Sequence, residues 1–169
     1  KNLEITLKEL SHYILVKEGK ILGHGMTIKH LARMYTKENK RIRVTLGKKY
    51  TDDTVEMARM KGCKPVSTPG TTTKTKEETE ADELLLDETE QASYRGIIGR
   101  LQYMCEDRPD LQYAVKEAAR EMSKPTMGSA MRLKRIIRYI AGLKEVSYVI
   151  DEKEIPMVIE CYVDSNWAN

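Results

Sequence analysis

Phenylalanine is absent from the 169 residues, and there is a single tryptophan. Leu, Ile, Val, Met and Tyr therefore have to fill any interior the chain builds. No run of about 18 apolar residues occurs, which excludes a hydrophobic helix able to span a bilayer. No basic-then-apolar leader opens the chain, so nothing in it argues for secretion. Cysteines number three, and Cys63, Cys105 and Cys161 stand 42 and 56 residues apart. That spacing matches no zinc motif, and free thiols are expected. His12, His24 and His30 likewise lack the spacing of metal ligands and are expected at the surface. The chain begins with Lys1 and stops at Asn169 within a patterned segment, which reads as an excerpt.

What is present is charge, unevenly spread. Apolar residues make up 40% and charged residues 33%, so one or two small domains are expected rather than one large core. Residues 1–64 carry 15 Lys and Arg against 7 Asp and Glu, whereas residues 65–91 carry 2 against 8. The basic block suits a phosphate backbone, and equally a solvated surface.

The patterning predicts an α+β chain. A helix is expected to about Leu10, then a short strand at Tyr13–Val16. Ile42, Val44 and Leu46 alternate with Arg41, Arg43 and Thr45, which is strand patterning. With 27–35 across the polar Lys37-Glu38-Asn39-Lys40 it suggests a β-hairpin. Asp52 or Asp53 is expected to cap a short helix, Thr54–Lys61, stopped at Gly62. Residues 65–87, dense in Pro, Thr, Lys and Glu, read as a flexible linker, since they offer little apolar surface to offset ordering entropy. Three helices follow. The first, Glu88–Met104, opens on the capping pair Asp87 and Glu90. The second begins at Arg108-Pro109-Asp110, where proline suits the first turn, and ends before Pro125. The third is capped by Thr126, with Leu133, Ile136, Ile137, Ile140 and Leu143 along one face. Strands are expected at Ser147–Ile150 and Met157–Val163.

Three segments taken together resemble the Pol polyproteins of copia-type retrotransposons. They are Lys61-Gly62-Cys63-Lys64-Pro65-Val66-Ser67-Thr68-Pro69; Tyr94 to Met104 followed by Arg108-Pro109-Asp110-Leu111; and Lys134 to Gly142 followed by Tyr162-Val163-Asp164-Ser165-Asn166-Trp167-Ala168. Each alone is weak, but the order and spacing are specific and cover roughly 29–169. The resemblance implies a C-terminal stretch of reverse transcriptase running into ribonuclease H. It makes 1–64 the end of the palm with a primer-grip-like hairpin, 65–87 a linker, 88–145 a three-helix thumb-like bundle, and 146–169 the first strands of a ribonuclease H-like domain. It also implies an intracellular setting, in a cytoplasmic particle or the nucleus, and Mg2+ as the parent enzyme's cofactor. The implied partners are an RNA–DNA hybrid or primer–template duplex and the remainder of the polyprotein.

Tyr50-Thr51-Asp52-Asp53 spells the polymerase metal box but is a decoy. That box needs apolar strands on both sides to aim two carboxylates at metals; here Lys48 and Lys49 precede it and a helix pattern follows. In the helix at 88–104, Arg95, Gly99 and Tyr103 recur every fourth residue on one face. Gly96 and Gly99 each cost roughly 1 kcal/mol relative to alanine inside a helix, so both need a reason. By resemblance to retroviral thumb helices, Gly99 would admit a duplex, Tyr103 would pack on a sugar or base edge, and Arg95 and Gln102 would supply polar contacts. Tight helix–helix packing is the alternative. Asp164 is implied to be the first ribonuclease H carboxylate, a catalytic metal ligand; as the alternative, it ends a strand at a turn. Two positions depart from the family pattern: Asn166 stands where a second Asp is common, and Ala32 where Gly is usual in the primer-grip hairpin.

The expected function is thus to hold the primer–template duplex for a reverse transcriptase and ribonuclease H, without activity alone. The rival is a non-catalytic nucleic-acid-binding remnant of a decayed or co-opted element, and a third reading is a helical interaction module.

Overall fold

A computed structural model describes residues 2–14, 19, 21–71, 73–143 and 145–151, with the side chains of residues 2–4 excepted. Asp164, Cys161 and the strand expected at Met157–Val163 lie outside the described residues. In chain order the elements are α1 (Asn2–Leu10), β1 (Thr27–His30), β2 (Arg33–Glu38), β3 (Arg41–Leu46), α2 (Lys48–Met57), α3 (Lys76–Ala81), α4 (Glu88–Cys105), α5 (Pro109–Arg120), α6 (Met127–Gly142) and β4 (Ser147–Asp151). The α+β expectation holds.

All four strands form one antiparallel sheet in the order β1-β2-β3-β4. Residues paired across strands share a face, so Ile28, Tyr35, Val44 and Tyr148 form one apolar row. The opposite face is mostly polar, with Met34 and Val149 its apolar members. There Thr27 and Thr36 bond hydroxyl to hydroxyl at 2.9 Å, Thr45 and Ser147 at 2.7 Å, and Arg43 donates to Glu38 at 2.9 Å. That ion pair lets Glu38 continue β2, so the connection to β3 shrinks to Asn39-Lys40, shorter than the polar stretch suggested. A second hairpin, β1–β2, turns through Leu31 and Ala32, both with positive φ, 46° and 64°. β4, expected to open a ribonuclease H-like unit, pairs here with β3 from Thr45–Ser147 to Arg41–Asp151. Tyr13 lies in a turn that closes α1, its N–H donating to Leu10 at 3.0 Å, so the strand expected from Tyr13 does not start there.

α2 starts six residues earlier than expected, at Lys48 behind Gly47, and neither Asp52 nor Asp53 caps it. Its inward side carries Thr51, Thr54 and Val55, all buried. Two of these are threonines, which an apolar-period reading counts as polar. Thr54 is satisfied locally, donating to the Tyr50 carbonyl at 2.7 Å and accepting from Arg100 Nε at 3.0 Å.

The three later helices follow their local signals. Asp87 and Glu90 form a reciprocal capping box on α4, Thr126 and Ser129 one on α6, and Pro109 occupies the first turn of α5. Their inward residues include Ile98, Leu101, Leu111, Val115, Ile136, Ile137 and Ile140, each at most 2% exposed. Burying a side chain of that size stabilises by about 1.5–3 kcal/mol, and these residues hold Leu46 of β3 and Val55 of α2 in the same cluster.

The stretch 65–87 is not the flexible linker its composition suggested. It contains α3, which has its own capping box between Thr75 and Glu78, and Leu86 is buried in the core. Arginines on α6 hold it down: Arg132 donates to Asp82 at 2.8 Å, Arg135 to the Thr68 hydroxyl at 2.9 Å, and Arg138 to the Lys64 carbonyl at 2.7 Å. Composition missed this because the partners of the acidic and polar residues lie 50 to 74 positions away in sequence.

Candidate nucleic-acid interface

α4 sets the geometry. Tyr94, Ile97, Ile98, Leu101 and Met104 are its buried side. Gly99 lies on the other side, exposed, and a Cβ built on it meets no atom within 4 Å. Gly96 differs: a Cβ there would stand 2.9 Å from the Met57 methyl of α2, and this contact with the end of one flexible side chain gives a partial packing reason for one of the two glycines. It does not account for the other.

Arg95 and Gln102 flank Gly99 toward α5. Arg95 Nε donates to the Met122 carbonyl at 2.8 Å, and its Nη2 reaches Gln91 at 3.0 Å. Gln102 faces a groove of about 460 Å³ shared with Cys105, Gln112, Val115, Lys116, Ala119 and Arg120. Gln112, Lys116 and Arg120 recur every fourth residue on α5, hence on one stripe, and all three are exposed. Sequence reasoning missed this stripe, although its spacing beside a basic pair was a usable signal. Burial pushes the Cys105 thiol in the groove up to about 11, which keeps it protonated and unreactive at neutral pH.

Tyr103 is turned the other way, toward the sheet. Its hydroxyl donates to the Leu31 carbonyl and accepts from Arg33 Nη1 at 2.6 Å, while the Arg33 guanidinium sits 4.4 Å from its ring centre. The structure therefore brings Arg95, Gly99 and Gln102 to one outer surface, and Tyr103 to an internal junction. At that junction Arg33, buried, donates from Nε to both oxygens of Asp107 at 2.8 Å and from Nη2 to Glu106 at 2.6 Å. The hydrogen bond to Asp107 raises the Arg33 pKa further above its ordinary value, outweighing burial. The junction also restrains the Leu31-Ala32 turn, whose Ala32 carbonyl accepts from Gly47 N–H at 3.0 Å. Positive φ costs an ordinary residue roughly 1–2 kcal/mol, so Ala32 is strained here. Neither Arg33 nor Asp107 was legible as a pair, since 74 residues separate them.

Arg108-Pro109-Asp110 proves structural as well. Arg108, 2% exposed, donates to Asp110 at 2.7 Å and to the Leu143 carbonyl at 2.9 Å, and Tyr139 donates to the same aspartate at 2.8 Å. Tyr50-Thr51-Asp52-Asp53 lies within α2, not on a hairpin, which agrees with its rejection as a polymerase box. Among the described residues no group of three His, Cys, Asp or Glu is placed to hold a metal, and no helix is long and apolar enough to cross a membrane.

Comparison with known proteins places this scaffold. No family model matches and no solved structure matches. Across 98% of its length, however, the chain is 35% identical to the retrovirus-related Pol polyprotein from transposon RE2 of Arabidopsis thaliana. It is 33% identical over the same share to that from transposon RE1. An uncharacterized mitochondrial protein of the same plant is 32% identical over 71% of the chain. The class is therefore that of transposable-element proteins. Within it, the chain belongs with the copia-type retrotransposon Pol polyproteins, and it spans 11% of the length of the two Pol relatives and 48% of the mitochondrial one.

Proposed function

We propose that the chain is the thumb-like part of a retrotransposon reverse transcriptase, with the adjoining sheet, and that it holds a primer–template duplex along the outer sides of α4 and α5. One observation carries this reading: Gly99 is exposed in mid-helix with open space before it, at a cost of about 1 kcal/mol that packing does not explain. A side-chain-free patch lets a groove approach the helix backbone, while Arg95 on α4 and Lys116 and Arg120, beside Gln102 in the groove along α5, would meet phosphates. Gln102 and Gln112 supply neutral hydrogen bonds at the same surface. Tyr103 serves by bracing the turn beside it, through Leu31 and Arg33.

The parent enzyme would work with Mg2+ at carboxylates of its ribonuclease H and polymerase sites, Asp164 among them. No catalytic step is assigned to the described residues, and we propose that the chain alone, as one part of the parent enzyme, is inactive. Its further partners would be the rest of the polyprotein, inside a cytoplasmic particle or the nucleus.

The test is hybrid-duplex binding by fluorescence anisotropy at low salt. Gly99→Leu is expected to lower affinity at least tenfold, about 1.4 kcal/mol, with circular dichroism unchanged. Replacing Lys116 and Arg120 by Gln should flatten the salt dependence by about two phosphate contacts. A folded Gly99→Leu chain that binds as tightly as the parent removes the assignment.

A further inference from the structure

The described residues of 64–71 and 73–82 reach α6 at both ends, from Pro65, 2.8 Å from where a Cβ of Gly142 would be, to Asp82 beside Gly128. Of the three arginines that hold this strap, Arg132 is saturated by carboxylates, with Asp82 at 2.8 Å and Glu121 at 2.7 Å. Arg138 donates through Nε to the Lys64 carbonyl. Arg135 differs. Its Nη2 donates to the Thr68 hydroxyl at 2.9 Å, but its Nε, shielded from solvent, has no hydrogen-bond partner. Nε and Nη2 form one edge of the planar guanidinium, and that edge matches two oxygens of a single oxyanion. A neutral hydroxyl fills only half of it. An orphaned buried donor of this kind costs roughly 1–3 kcal/mol and calls for an acceptor.

We propose that Thr68 is a phosphorylation site, and that the phosphate closes on the Nε–Nη2 edge of Arg135. Thr68 is exposed in an irregular, non-helical part of the strap and is followed directly by Pro69. A serine/threonine kinase that selects for a following proline would therefore find both its residue and an accessible chain. The threonine oxygen attacks the γ-phosphorus of ATP; the new O–P bond forms as the bond to ADP breaks, and the hydroxyl proton passes to the kinase's base. The product carries about two negative charges and three acceptor oxygens. One oxygen replaces the hydroxyl at Nη2 and a second reaches Nε, while Arg138, one turn along α6, adds a further positive charge nearby. Modification would convert a weak neutral contact into a bidentate ion pair and lock the strap onto α6. The inference is independent of duplex binding, which occupies α4 and α5.

The experiment treats the 169-residue chain with a proline-directed kinase and Mg-ATP, maps the product by mass spectrometry, and titrates the phosphate by ³¹P NMR. Phosphate is expected on Thr68 and to be lost in Thr68→Ala. Its second ionisation is expected about one unit below that of the same chain unfolded in urea, with the gap closing in Arg135→Gln. Should Arg135→Gln fail to fold, Arg135→Lys, which keeps the charge but loses the fork, is expected to narrow the gap. A folded chain left unmodified at Thr68 while the unfolded chain is modified overturns the proposal. So does a titration that is identical in parent and Arg135 variants.

Discussion

α4 and α6 each carry two glycines, and the surroundings of these glycines differ. On α6, a Cβ at Gly128 would fall 2.1 Å from Asp82 Oδ1 and 2.7 Å from the Glu78 carbonyl, and one at Gly142 would press on Pro65. Both serve the strap, which could not lie against the helix over larger side chains. On α4, Gly96 makes room for Met57, but Gly99 makes room for nothing within the described residues. The comparison teaches that a helical glycine points to a ligand only when the structure leaves its face vacant. By that measure the outer side of α6 is already occupied by the protein itself, and the outer side of α4 is the open one.

The contrast can be broken in several ways. Gly128→Leu is expected to cost about 3 kcal/mol in urea unfolding, because backbone as well as side chain blocks the added atoms. A loss below 0.5 kcal/mol would mean that the strap does not sit as described. Acid should loosen the strap next. Burial raises the Asp82 pKa, but the hydrogen bonds from Arg132 and Lys74 outweigh it and hold the carboxyl at about 2. A depressed folded pKa contributes stability that is fully present above the unfolded value near 4 and is lost as pH falls toward 2. On the order of 2 kcal/mol should disappear across that window. Asp82→Asn should abolish that part of the acid sensitivity, and a pH–stability profile identical in both proteins would contradict the assignment. Smallest is Gly99→Ala, expected to stabilise by up to about 1 kcal/mol through helix propensity, since nothing opposes its methyl group. Thermal or urea unfolding that shows a loss instead would place a neighbour over Gly99.

How much of this was legible before the structure depends on the range of the signal. The starts of α4, α5 and α6 were read nearly to the residue, because Asp87 with Glu90, Pro109 and Thr126 act on backbone groups within one turn, whereas α5 ends at Arg120, short of the Ser123 expected. The outer surface of α4 was partly read: Arg95 and Gly99 came from spacing within one helix, and Gln102 from the family resemblance. Tyr103 shares that spacing but is drawn to Leu31 and Arg33, which no helical period reveals. The strap was misread for a related reason. Its Glu78, Asp82 and Thr68 look solvated in isolation, and become structural only opposite Arg132 and Arg135. α2 was misplaced because Thr51 and Thr54 are buried, Thr54 with its hydroxyl bonded to Tyr50 and Arg100, a role that a polar-versus-apolar pattern assigns to the surface.

By itself, the order of residues determined the kinship with retrotransposon Pol proteins, the α+β composition and the starts of the three later helices, since each rests on motifs or on local signals within a few residues. Only the tertiary structure decided that β4 joins the sheet of β1–β3, that 65–87 is strapped to α6, and that Gly99 is the vacant glycine. These depend on contacts between residues far apart in the chain, where the energy of a group is set by whatever packing brings beside it.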